Sequence, residues 1–327
     1  MPRCMRKSRS KEHVPDFCAP PMTKASFCIP LPSASRLYQP MDFPPAPFIV
    51  GVGRSGTTLL RLMLDAHPEL AIPSETLFLQ KLVGRKDISK EQFLDIVTGA
   101  ETWDNLTIDN ADLRDAVNTL AQFTLPDAIR CFFRLYAQRR DKPRWGDKTP
   151  YYRVFMADIQ DLLPEAHFIH VIRDGRDSAL SYQGLWFGPG DDFEKQAQFW
   201  RDAILKTRAQ ALKLKHYCEV RFEALVSQPE LTLRKICADI ALPFDAAMLA
   251  YHRTSEERLA EFKRPFGPAD RTPKDIETFI AIHDRAKLPP DQSRIGRWRT
   301  EMSRADLARY EAIAGPLLRE LGYETLT

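Results

Sequence analysis

Gly51-Val-Gly-Arg-Ser-Gly-Thr-Thr58 sets three glycines, one guanidinium and three hydroxyls within eight residues. Phe48-Ile-Val50 before it has the composition of a short buried strand, and a helix is expected to begin near Thr57. Glycines in such a turn take backbone angles closed to other residues and bring amides close to a ligand. A helix that starts behind the turn points unpaired N–H groups at an anion. The spacing from Gly51 to Gly56 is that of a Walker A loop, but Thr57 stands where nucleotide triphosphatases carry lysine, and the basic residue is Arg54. The chemistry expected is the binding of one phosphate and its attached group by Arg54, Ser55, Gly56, Thr57 and Thr58. The plainer alternative for the turn on its own is a purely structural loop.

A second set lies behind another apolar run. Ala166-His-Phe-Ile-His-Val-Ile172 reads as a strand and ends at Arg173-Asp-Gly-Arg-Asp-Ser-Ala-Leu-Ser181. Arg173 and Ser181 are eight residues apart, a little over two helical turns, so one anion could be reached from both. Arginine offers a fork of N–H donors and serine a hydroxyl, which suits a dianionic phosphate. The plainer reading is a solvated, salt-bridged helix start. Near the C-terminus, Ser293-Arg-Ile-Gly-Arg-Trp-Arg299 gathers three arginines around Trp298.

These three motifs, in this order, resemble the sulfotransferases that use 3′-phosphoadenosine-5′-phosphosulfate (PAPS). Gly53-Arg-Ser-Gly-Thr-Thr-Leu-Leu60 is similar to their 5′-phosphosulfate loop. The continuation Arg61-Leu-Met-Leu-Asp-Ala-His-Pro68 with Ser74-Glu-Thr76 is nearest, within that superfamily, to the tyrosylprotein sulfotransferases. The resemblance runs from about Pro47 to Tyr323 and implies sulfuryl transfer from PAPS to a hydroxyl-bearing acceptor, with a small molecule such as a phenol, a sugar, a lipid headgroup and a peptide tyrosine all left open. It implies a 3′-phosphate site at Arg173 and Ser181, and a nucleotide-covering loop with Arg294, Gly296, Arg297 and Trp298. Arg221-Phe-Glu-Ala-Leu-Val226 matches a further segment that recurs in the superfamily. Leu59 stands where many cytosolic members carry a tryptophan that stacks on adenine, which leaves Trp298 as a candidate for that contact.

The transfer needs a base and charge stabilisation. Several cytosolic members use a histidine where this chain reads Asp147-Lys148-Thr149-Pro150. By resemblance Glu75 matches the catalytic glutamate of the tyrosylprotein enzymes, and Lys148 matches a lysine of theirs. General bases contribute factors of about 10²–10⁴, and Arg54 with Lys148 would stabilise charge at the transferring group. The alternatives are that Glu75 caps a helix at 76–83 and that Lys148 pairs with Asp147 at the surface. His67 and His170 read as structural. No metal ligand set stands out. A P-loop small-molecule kinase or nucleotide hydrolase would need the Walker lysine and an acid ending an apolar strand, and Arg173 occupies that strand end.

The elements that must position these residues alternate. Strands are expected at 47–52, 143–146, 167–172 and 219–222, and helices at 57–66, 74–83, 90–98, 109–122, 126–140, 151–163, 174–185, 192–216, 229–241 and 304–321. That alternation predicts a single α/β domain of P-loop type, residues 47–327, with a parallel sheet flanked by helices on both faces. Ligands in such sheets bind at the carboxyl ends of the strands, where both phosphate motifs fall. The stretch 84–140, with Trp103, Phe123, Phe132, Phe133 and Tyr136, is expected to wall the acceptor pocket.

Composition sets the remaining bounds. The chain has 327 residues, enough for a substantial core. Residues 1–47 hold ten of 25 prolines, three of six cysteines, and seven Lys/Arg against three Asp/Glu, so 1–46 is expected to be a disordered Pro-rich leader. It lacks the apolar run of a secretory signal, and Met41 and Met22 are alternative starts. The rest carries 40 basic and 41 acidic residues, which gives no reason to propose nucleic-acid binding. No stretch is long and apolar enough to span a membrane, a departure from the anchored tyrosylprotein enzymes that puts a protein substrate in question. The cysteines lack metal-site spacing and read as thiols of a reducing, cytoplasmic compartment. A homodimer is left open.

Overall fold

The computed structural model describes residues 43–262, 277–278 and 281–326. The expected leader, apart from its last four residues, lies outside them.

The sheet is built from four parallel strands in the order β4-β1-β5-β6. They are β1 (Ala46–Gly51), β4 (Asp147–Lys148), β5 (Ala166–Ile172) and β6 (Tyr217–Arg221). A short parallel pair, β2 (Leu70–Ala71) and β3 (Arg144–Trp145), lies apart from it. β1 is buried along its whole length, as expected of a strand with helices on both faces. Phe48 and Val50 join a cluster with Phe78, Phe133 and Trp145, while Ile49 joins Leu60, Leu64, Val171 and Ile236 in another. A third cluster packs Val52 and Ile172 under the helices Phe193–Ala211 and Arg304–Glu320. The expected parallel α/β sheet with helices on both faces is therefore the observed one.

Register brings the strand ends together. Ile49 pairs with Lys148, Gly51 with Val171, and Ile172 with Arg221. The chain leaves the carboxyl ends of β4, β1, β5 and β6 at one edge, and each exit delivers a residue of the candidate site.

Several expected elements are shorter: the helix over 109–122 is Asn110–Asn118, that over 192–216 is Phe193–Ala211, and the strand over 143–146 gives way to β3 and β4 in different sheets. The helix over 74–83 is only Leu79–Leu82, because Leu77 takes a left-handed φ of 54° and Thr76 is tied into the interior. The one over 151–163 divides into a 3-10 turn, Pro150–Val154, and a helix, Met156–Leu162, on either side of the non-helical Phe155. Of the expected acceptor wall at 84–140, Ala100 and Glu101 line the larger of the two cavities described below, but the named aromatics do not. Phe132, Phe133, Tyr136 and Trp103 are buried in the core: Phe133 stacks on Trp145 at 4.6 Å, and the Tyr136 hydroxyl donates to Glu261 and accepts from Arg258. Phe123 packs edge-on against Phe93.

Candidate active site

The turn after β1 is held in shape from within. The Ser55 hydroxyl donates to the Val52 carbonyl at 2.6 Å, closing the loop rather than facing a ligand. Gly56 has φ 97°, and a Cβ there would lie 2.4 Å from the Phe222 ring. A Cβ at Gly53 would meet the Tyr182 hydroxyl at 2.3 Å, so the helix after β5 sits directly on the loop. The helix Thr57–Asp65 then begins, and its first-turn amides have no carbonyl one turn earlier to bond.

Arg54 is the loop's exception, a non-glycine residue at φ 65°. That backbone strain costs on the order of 1–3 kcal/mol. It directs the guanidinium toward the second motif, where Nε donates to Ser181 Oγ at 3.2 Å. Arg173, 5% exposed, donates to the carbonyls of Arg54 (3.1 Å) and Arg294 (2.8 Å), joining the phosphate loop to the C-terminal loop. Its Nε is buried without a partner. Arg54, Arg173 and Arg294 form no ion pair among the described residues, and burial pushes all three below the ordinary guanidinium value. Arg294 falls to about 10, with burial the largest cause, followed by Arg297, Arg285 and Arg173. Mutually repelling arginines around a buried free donor fit a polyanion such as a 3′,5′-bisphosphorylated nucleoside.

The C-terminal loop is anchored rather than free. Asp177, from the helix Gly175–Tyr182, accepts the Gly296 amide at 2.7 Å and the Trp298 amide at 3.0 Å. The Gly296 N–H is thereby already engaged, and the residue serves the turn through its φ of 73°. Arg297 pairs with Glu301 one helical turn on. Trp298 is 3% exposed with the Arg176 guanidinium 3.6 Å from its ring centroid, so it is a core residue and not the adenine platform expected from sequence.

Two cavities meet at the phosphate loop. One, about 140 Å³, is lined by Arg54, Gly56–Leu59, Arg173, Ser181 and Arg294, with Phe222, Val226, Tyr251 and Pro289 as apolar walls. The other, about 480 Å³, runs from Gly51, Gly53 and Arg54 past Glu75 to Tyr151, Arg153, Tyr182 and Phe187. Arg54, Thr57, Thr58, Ile282 and His283 line both.

Glu75 stands in the larger cavity and accepts a 2.8 Å bond from Lys148 Nζ. Its helix-capping alternative does not hold, because the helix that follows begins only at Leu79. Nor is Lys148 a surface residue: its side chain is 0% exposed and its partner is Glu75, not Asp147. Burial lowers the Lys148 ammonium, and the Glu75 carboxylate opposes that shift. Next to this pair, Thr76 Oγ1 donates to Asp147 Oδ2 (2.8 Å) and lies 2.8 Å from the Tyr152 hydroxyl. Two successive rungs, Glu75–Lys148 and Thr76–Asp147, thus pin the segment after β2 to β4. Burial pushes Asp147 up to about 7 against its hydrogen bonds from Thr76 and Thr149.

His67 and His170 are structural, as expected. His67 bonds the Pro243 carbonyl, and His170 lies in β5 with Nδ1 2.7 Å from the Tyr217 hydroxyl.

Comparison with known proteins gives the family. The profile of the sulfotransferase family matches residues 45–246. The chain belongs to the sulfotransferase family. It is 25% identical to the protein-tyrosine sulfotransferase A of Caenorhabditis elegans over 85% of this chain and 67% of that one. It is 26% identical to the protein-tyrosine sulfotransferase 1 of Danio rerio, over 86% and 72%. Among solved structures, the sulfotransferase domain from the curacin biosynthetic pathway shares the fold with a TM-score of 0.55 at 18% identity, covering 86% of this chain and 99% of that one. The protein is thus a PAPS-dependent sulfotransferase that transfers a sulfuryl group to a hydroxyl acceptor, from the part of the superfamily close to the tyrosylprotein enzymes.

Sequence reasoning missed the apolar walls of both cavities. Phe222 and Val226 follow β6, and the strand-end rule that found Arg173 would have found them. Tyr151 and Arg153 sit just after Lys148, in a turn read instead as a helix.

Proposed function

We propose that Glu75 is the general base, that Lys148 and Arg54 stabilise the transferring group, and that the smaller cavity holds the donor nucleotide. The observation that carries this reading is the Glu75–Lys148 pair at 2.8 Å in a cavity sharing Arg54, Thr57 and Thr58 with the arginine-lined one. When bound, PAPS supplies an activated sulfuryl group on a phosphate leaving group. Thr57, Thr58 and the first-turn amides hold the 5′ end, and Arg173 with Ser181 holds the 3′-phosphate. Arg54 spans the two, because its backbone belongs to the loop and its Nε reaches Ser181. Lys148 orients the Glu75 carboxylate toward the larger cavity, where it takes the proton of the acceptor hydroxyl. The ammonium and the guanidinium are fixed before reaction, so they stabilise developing charge without reorganising.

The reading needs no divalent cation. We also propose a reducing, cytoplasmic setting, which the free thiols of Cys131, Cys218 and Cys237 support. Calorimetry with adenosine 3′,5′-bisphosphate and ATP in excess EDTA tests the donor site. The bisphosphate should bind at least tenfold more tightly. ATP binding that requires Mg²⁺, with no response to the bisphosphate, would overturn the proposal.

A further inference from the structure

The larger cavity is mostly apolar, with Leu77, Pro150, Tyr151, Tyr182 and Phe187 in its wall. Its basic side chains are Arg54 of the phosphate loop, the exposed Lys81 and Arg153. Arg153 closes the 3-10 turn Pro150–Val154, five residues after Lys148, and is partly buried. Among the described residues its guanidinium makes no hydrogen bond and no ion pair. Burial pushes it below the ordinary arginine value, and only the Tyr151 and Tyr182 hydroxyls act in the opposite sense.

A partly buried guanidinium that lines a cavity and has no ion pair offers a planar fork of N–H donors to an anionic ligand. The arginines of the smaller cavity are accounted for by the donor's phosphates. Arg153 lines only the larger cavity, so those phosphates do not account for it. The wall's two carboxylates do not serve it either. Glu75 is held by Lys148, and Arg153 is in no ion pair among the described residues. The cavity, about 480 Å³, is within the range of small-molecule sites.

We propose that the acceptor is a compact, largely apolar hydroxy acid, whose hydroxyl lies at Glu75 and whose carboxylate is bound by Arg153. This rests on the reading that the larger cavity receives the acceptor. The apolar walls take the body of the molecule, and the guanidinium fixes its far end through a charge-assisted pair. The acid thereby sets the direction in which the hydroxyl meets the base.

The test is calorimetry on the full chain saturated with adenosine 3′,5′-bisphosphate. The probes are 3-(4-hydroxyphenyl)propionate and 6-hydroxyhexanoate, each beside its primary amide. Each acid should bind at least tenfold more tightly than its amide, the effect of one charge-assisted hydrogen bond. In Arg153→Gln that ratio should collapse to within twofold, and Arg153→Lys should restore part of it. Bisphosphate affinity of each variant reports whether it has folded, and the wild-type comparison needs no variant at all. Acids and amides that bind alike, or a preference that survives Arg153→Gln, would overturn the proposal. So would an acidic tyrosine peptide that binds at least tenfold more tightly than either acid, since the site would then read peptides. Failure of the donor-site reading looks different: the bisphosphate itself would not bind.

Discussion

Arg173→Ala separates a nucleotide contact from a structural brace. The side chain has three roles: it bonds the Arg54 carbonyl at 3.1 Å, bonds the Arg294 carbonyl at 2.8 Å, and keeps a buried Nε without a partner. If that remaining donor and the positive charge serve the 3′-phosphate, their loss costs about 1.5–3 kcal/mol, or roughly 10- to 150-fold in affinity. The two carbonyl bonds contribute about 0.5–1.5 kcal/mol each to stability whether or not nucleotide is present. At roughly 2–4 °C per kcal/mol for a domain of this size, the melting temperature should fall by about 2–12 °C. Calorimetry with adenosine 3′,5′-bisphosphate and with adenosine 5′-phosphosulfate distinguishes the roles. The first ligand should weaken at least tenfold more than the second, and Ser181→Ala should shift the ratio in the same direction. Equal weakening of both ligands would mean that Arg173 acts only by holding two loops together, and the 3′-phosphate assignment would be wrong.

Asp147 gives a pH dependence. Its folded pKa, pushed up by burial to about 7, lies above that of an unfolded aspartate, so the folded state binds the extra proton between about pH 4 and 7. Stability should therefore fall as pH rises through that window, by at most about 4 kcal/mol. Asp147→Asn should flatten the decline in thermal melts at pH 5 to 8, and identical slopes would refute the shift. Trp298→Phe should lower the melting temperature yet leave bisphosphate affinity within a few-fold, because the ring packs under Arg176 and lines neither cavity. A tenfold loss of affinity with an unchanged melt would restore Trp298 as the adenine contact.

The sheet and the edge that carries the candidate site were legible because β1 and β5 are apolar runs followed by the Gly-rich and Arg173–Ser181 motifs. The Lys90–Thr98 helix was legible from its helical patterning, and the structure adds a capping box of Ser89 and Gln92 at its start. Other boundaries depended on tertiary contacts. Thr76 leaves helical geometry because Asp147, distant in sequence, takes its hydroxyl. The aromatics between 103 and 136 looked like a pocket wall only because sequence cannot distinguish a core aromatic from a lining one. Phe133 finds Trp145, and Tyr136 finds a buried carboxylate. Trp298 misled for the same reason. Glu75 and Lys148 were individually legible through resemblance, but their contact depends on the pairing of β4 with β1, which no local pattern reports.

The account rests most heavily on Glu75 as the group that takes the acceptor's proton. Glu75→Gln keeps the side chain's size and an oxygen for Lys148 while removing the basic carboxylate. Single-turnover transfer from PAPS to a hydroxyl acceptor should slow by about 10²- to 10⁴-fold, with bisphosphate affinity within a few-fold of wild type. Transfer that survives within a few-fold would contradict the account and place the base elsewhere.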